Sequence, residues 1–93
     1  MSAQVMARAS GPREVCTFSD LPRGACYTSF QDSRPYVKWT VRRDWCAIAL
    51  RKDGERYVVS DPKKPKFIFP GPGHQCRPLG IVVNDVRELG LAV

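Results

Sequence analysis

No apolar run in this chain approaches the ~20 residues that a membrane-spanning helix needs, so the sequence offers no α-helical span and no membrane partner. The segment from Met1 to Arg13 also lacks the apolar stretch of about 7–15 residues that a secretory signal carries, and a cytoplasmic, reducing setting is the expectation. Histidine occurs once, as His74. Paired carboxylates, a Gly-rich phosphate loop and a His-x-x-x-His pattern are all missing, so neither an enzyme nor a cofactor nor a small-molecule substrate is expected. The cysteines (Cys16, Cys26, Cys46 and Cys76) include no Cys-x-x-Cys pair. In a reducing compartment they are expected as free thiols, with Cys26 and Cys46 as small core hydrophobes. His74 and Cys76 with the other three would supply enough donors for a tetrahedral zinc. A structural zinc site, however, usually takes two ligands from one tight turn, and these spacings provide none. A zinc-stabilised module therefore stands as a further alternative rather than the expectation.

Acidic residues are scarce, 9 against 15 lysines and arginines, for a net charge of +6. The excess is uneven. Ten basic and only four acidic residues fall between Arg34 and Lys66, so the middle of the chain carries all of it. A local positive field of this kind favours an acidic partner, either nucleic acid or an acidic protein face.

The remaining composition, 43% hydrophobic and 26% charged, is that of a globular chain. Residues 1–14, small and polar with Gly11-Pro12, read as a mobile N-terminal arm, and residues 15–93 as a single small domain. Ser19-Asp20-Leu21-Pro22-Arg23-Gly24 is a turn in which Pro22 fixes φ and Gly24 tolerates φ > 0. It feeds a short strand, Ala25 to Phe30. Tyr36 to Val41 alternates, which predicts Val37, Trp39 and Val41 on a core face and Tyr36, Lys38 and Thr40 on a solvent face. Trp45 to Leu50 is nearly continuously apolar, as a strand covered on both faces would be. Lys52-Asp53-Gly54-Glu55 signals a hairpin into Arg56 to Ser60. Lys66 to Phe69 is a further strand, and Pro70-Gly71-Pro72-Gly73 a stiff connector. Leu79 to Val83 predicts a last strand, followed by a short helical turn over Asp85 to Leu89, capped by Asn84 and ended by Gly90. Strands this short, with turn residues between them, indicate a mainly β fold, a small barrel or sandwich.

The candidate binding residues are the cations Arg42, Arg43, Arg51, Lys52, Arg56, Lys63, Lys64 and Lys66. Arg42, Arg43, Arg51 and Lys52 lie at or near strand ends, where long side chains are expected to converge at one end of a small barrel. Cations also interleave with rings, Lys38 with Tyr36 and Trp39, Arg42-Arg43 with Trp45, and Arg56 with Tyr57. Nucleic-acid grooves use that combination, although a small barrel must bury some of its aromatics in any case.

Phe18-x-Asp20-Leu21-Pro22-x-Gly24-x-x-Tyr27, then Tyr36-Val37-Lys38, Ala47-Ile48-Ala49-Leu50, Arg56-Tyr57-Val58-Val59 and Pro62, resembles a group of small phage and prophage accessory proteins with SH3-like barrels. The resemblance covers about residues 17 to 69. It implies an SH3-like barrel, with Leu79 to Val93 as a C-terminal extension across an open edge. It also implies a protein that acts by binding, with no catalytic residue. The resulting expectation is a non-catalytic phage-type accessory protein of the host cytoplasm. Its basic face would bind and inhibit a host protein or nucleoprotein assembly, with direct nucleic-acid binding as the alternative.

Overall fold

The computed structural model describes residues 15–91, so the expected arm over residues 1–14 lies outside the described residues. The chain is mainly β. β1 is Cys16–Thr17, β2 Ala25–Ser29, β3 Pro35–Val41, β4 Asp44–Asp53, β5 Arg56–Val59, β6 Phe67–Ile68 and β7 Gln75–Val82, with 3₁₀ turns at Phe18–Asp20 and Val86–Leu89. The pairing is antiparallel throughout, in the order β1-β7-β2-β3-β4-β5. β6 lies against the first half of β4, opposite Ala47 and Ile48, and β5 against the second half, opposite Leu50 to Asp53.

The expected barrel does not close. Among the described residues no pairing joins β5 or β6 to β1, and the sheet stays open. The physical reason lies at its edges. The outer edge of β4 is divided between two short strands, and the link between them contains Pro62 and Pro65, which have no N–H to donate to a ladder. At the other side β7 contains Pro78, and its register against β2 shifts between Ala25 and Tyr27, where Gly80 takes a φ of 78°. A strand edge with a proline and an irregular register pairs poorly with a further strand. β7 also begins earlier than the apolar run from Leu79 predicts, and it is an integral strand of the sheet rather than a tail laid across it.

Strand alternation sends successive side chains to opposite faces, and here both faces are covered. On one face Cys26, Val37, Cys46, Ile48, Leu50 and Val59 pack against Val83, Val86 and Leu89 from the C-terminal segment. On the other, Tyr27, Tyr36, Ala47 and Cys76 pack against Phe18 and Leu21. Each large apolar side chain buried this way contributes about 1.5–3 kcal/mol.

The double cover corrects the expected faces of β3. Tyr36 and Lys38 are buried and Thr40 half-buried, because the Phe18–Asp20 turn and Leu21 fold across what reads as a solvent face. Val37 is fully buried as predicted, while Trp39 and Val41 are only partly buried against the first cluster. β4 is covered on both faces from Cys46 to Leu50, but Trp45 is 49% exposed.

Two turns hold the covering segments in place. Gly24 has a φ of 89°, and a Cβ there would collide with the Val83 carbonyl. Its N–H donates to Lys38 O at 2.7 Å, and its carbonyl accepts from Val83 N at 2.9 Å. Only glycine permits that approach. The C-terminal turn is capped by Asp85 rather than Asn84. Asp85 Oδ1 accepts from Arg87 N at 2.9 Å, and Glu88 Oε2 accepts from Asp85 N at 3.2 Å. It ends at Gly90 in the left-handed region, as the sequence predicts.

Candidate functional site

β3 and β4 pair as far as Val41 opposite Asp44, which leaves Arg42 and Arg43 as a two-residue hairpin loop. Both have positive φ, 51° and 73°. That is the pattern of a type I′ turn, whose twist matches the flanking strands and whose preferred residues are Asn-Gly. A bulky L-residue in the left-handed region costs about 1–2 kcal/mol. Two adjacent arginines therefore carry strain that Asn-Gly would not. The next hairpin shows the contrast. Asp53 pairs with Arg56, and its loop is Gly54-Glu55, where glycine alone takes the positive φ.

Both arginines of the strained turn are exposed. Among the described residues the one side-chain ion pair joins Arg87 and Asp85, so neither guanidinium is neutralised by a neighbouring carboxylate.

A cleft of about 570 Å³ takes Trp45, just beyond this turn, into its lining. Phe18, Leu21 and Pro22 form one wall, Trp45 stands on β4 two residues beyond Arg43, and Pro70 and Pro72 of the connector complete the lining. Arg23 and Lys38 also line it, and no acidic residue does. Backbone bonds fix the connector: Phe18 N donates to His74 O at 2.8 Å and Ser19 N to Pro72 O at 3.1 Å.

Lys38 is only 4% exposed. Its Nζ donates to Phe18 O and Leu21 O, each at 2.7 Å, and stands 4.8 Å from the Phe18 ring and 4.6 Å from the Trp45 ring. Burial holds its pKa below the ordinary lysine value of 10.5, against the opposing pull of Cys76 and Asp20. Carbonyl acceptors and ring faces compensate a cation removed from water. The lysine thus ties the turn to β3 and braces the exposed Trp45.

The structure does not gather the eight expected cations. Arg42 and Arg43 precede β4, whereas Arg51 and Lys52 lie near its far end. Arg43 and Arg51 are eight residues apart along the chain, about 26 Å at ordinary strand rise. The expected convergence at one end is therefore corrected. Arg51, opposite Val58, and Lys52, opposite Tyr57, project from opposite faces, with Arg56 beside them on β5. Lys63 and Lys64 sit in a bend, where their backbone N–H groups donate to Asp61 Oδ1 at 3.1 and 3.2 Å. Lys66 offers its carbonyl to Ala49 N. All eight are exposed and none lines the cleft; Arg42 and Arg43 come nearest to it along the chain, three and two residues before its Trp45.

Lys38 and Trp45 stand out in the sequence only as a cation and a ring among others, because their roles in the cleft depend on a distant turn folding over β3. The available signal was Trp45 placed one residue past a two-residue loop.

Two further clusters bear on chemistry. Ser29 Oγ and His74 Nε2 are 3.0 Å apart, but Ser29 is 4% exposed and its Oγ also accepts from Gln31 N at 3.3 Å. The pair fastens the loop after β2 to the connector. No three histidine, cysteine, aspartate or glutamate side chains gather into a metal-binding group among the described residues. Comparison with protein-family models, curated proteins and solved structures returned no match.

Proposed function

We propose that this protein is a non-catalytic binding module that docks through the Arg42–Arg43 turn onto an acidic face of a protein partner. The observation that carries this reading is the strained pair itself: two unpaired arginines held in the left-handed region at the tip of a hairpin. Backbone strain retained at an exposed, charged position is characteristic of sites selected for contact rather than for stability. The resemblance to small phage accessory proteins supplies the biological setting, a host protein or nucleoprotein assembly that the module modulates as an inhibitor.

The test is capture of partners from the source host with the wild-type chain and with the double variant Arg42→Asn/Arg43→Gly. The wild type is expected to retain an acidic protein chain that nuclease does not release, and the variant to lose it. The association rate should fall with added salt, because steering by charge is screened. Equal capture by both proteins would place the site elsewhere, and release by nuclease would favour direct nucleic-acid binding.

A further inference from the structure

The cleft at Trp45 has walls that the chain itself ties in place. Prolines form part of them, and hydrogen bonds from Phe18 N and Ser19 N pin the connector that bears Pro70 and Pro72. Preformed walls lower the ordering cost of binding. The volume of about 570 Å³ is within the usual range for a ligand pocket. Trp45 keeps 49% of its surface exposed at the mouth. Lys38 Nζ is already engaged by two carbonyls and two rings, so the interior does not demand an anion. The outer charges do: Arg23 is in the lining, Arg42 and Arg43 stand three and two residues before the lining residue Trp45, and no carboxylate lines the cleft.

We propose, building on the acidic-partner reading, that the cleft is an anchor pocket. It receives one bulky apolar side chain of an extended acidic peptide segment while Arg42 and Arg43 engage flanking carboxylates. Charge complementarity argues for this occupant. A second copy of this chain would bring a further excess of positive charge to the same arginines. In such an arrangement charge governs association, and the buried anchor governs how long the complex lasts.

The test uses two fluorescently labelled peptides of aspartate and glutamate, one with a central leucine and one with alanine in its place. Wild-type protein is expected to bind the leucine peptide about tenfold more tightly, the scale of one well-buried apolar side chain. In a Trp39→Phe background, where Trp45 is the remaining tryptophan, its emission should shift only with the leucine peptide. Trp45→Ala should remove the preference for leucine and leave the weaker, salt-sensitive binding. Arg42→Asn/Arg43→Gly should weaken both peptides alike.

Equal binding of the two peptides by the wild type overturns the anchor pocket. If Arg42→Asn/Arg43→Gly still weakens both in that case, the acidic-partner reading survives. No binding of either peptide overturns both proposals. A leucine preference that persists in Trp45→Ala places the anchor elsewhere. A single-stranded oligonucleotide that binds and cannot be displaced by the leucine peptide also overturns the assignment. The comparison between the two peptides needs no protein variant, so it stands even where Trp45→Ala folds poorly.

Discussion

Lys38 is the residue on which the covering of the second sheet face depends. Replacing it with methionine keeps the aliphatic stem but leaves Phe18 O and Leu21 O without their donor. The expected loss is about 1–3 kcal/mol, read from the midpoint of urea unfolding. An unchanged midpoint would mean that the turn is held by its apolar contacts alone. The dependence on pH has a definite sign. Burial lowers the folded-state pKa of Lys38 below the ordinary 10.5, so over the window just below that value the unfolded chain binds the proton more tightly. Stability from this group therefore rises with pH across that window, and the advantage of wild type over Lys38→Met should widen from neutral pH towards about 10. Tyr27 is the opposite case. Its hydroxyl is buried without a hydrogen-bond partner, and burial raises its pKa. Its ring stacks on Tyr36 at 5.7 Å and meets Phe18 edge-on at 5.9 Å. Tyr27→Phe keeps the rings and removes an unsatisfied polar atom, so stability should stay level or rise by about 1 kcal/mol. Clear destabilisation in thermal unfolding would show that the hydroxyl has a partner in solution.

Among the elements, the β3–β4 hairpin separates stability from binding. Arg42→Asn/Arg43→Gly places the favoured residues in a type I′ turn and should stabilise the fold by about 1–2 kcal/mol, measured by denaturant unfolding, while acidic partners bind more weakly. A loss of stability would show that the arginines contribute contacts to the folded state. The turn also marks the limit of what the sequence discloses. The strands were legible because strand-length apolar runs alternate with Pro, Gly and charged turns, and Asp53-Gly54 announced its hairpin, although the loop itself is Gly54-Glu55. Arg42-Arg43 carries no such signature. Its strain emerges only once the pairing of Val41 with Asp44 fixes the loop at two residues. The alternation in β3 was visible too, but alternation says which residues share a face and not whether that face is wet. Phe18 and Leu21 decide that from some twenty positions away. The cations of the middle third were visible as a run, yet one ten-residue strand, β4, holds them apart.

At the scale of the whole molecule, the thiols report on the integrity of the sheet. Cys26 and Cys46 lie in the core of one face and Cys76 in that of the other. Burial raises all three pKa values, that of Cys26 to about 11 and that of Cys76 to about 12. Thiolate is the reactive form, so these three should resist a thiol reagent in native buffer and react only as fast as the whole sheet opens. Rapid labelling without denaturant would show that one face opens by itself. The strand order has a consequence for how the protein is made. β2 finds its outer neighbour in β7, about fifty residues later in the chain. At translation rates of about 5–20 residues per second, roughly 3–10 s separate the synthesis of the two strands. During that interval the nascent chain holds β2, β3 and β4 with one flank bare and Tyr27 uncovered by its distant partner. The sheet thus cannot be completed until β7 has been synthesised.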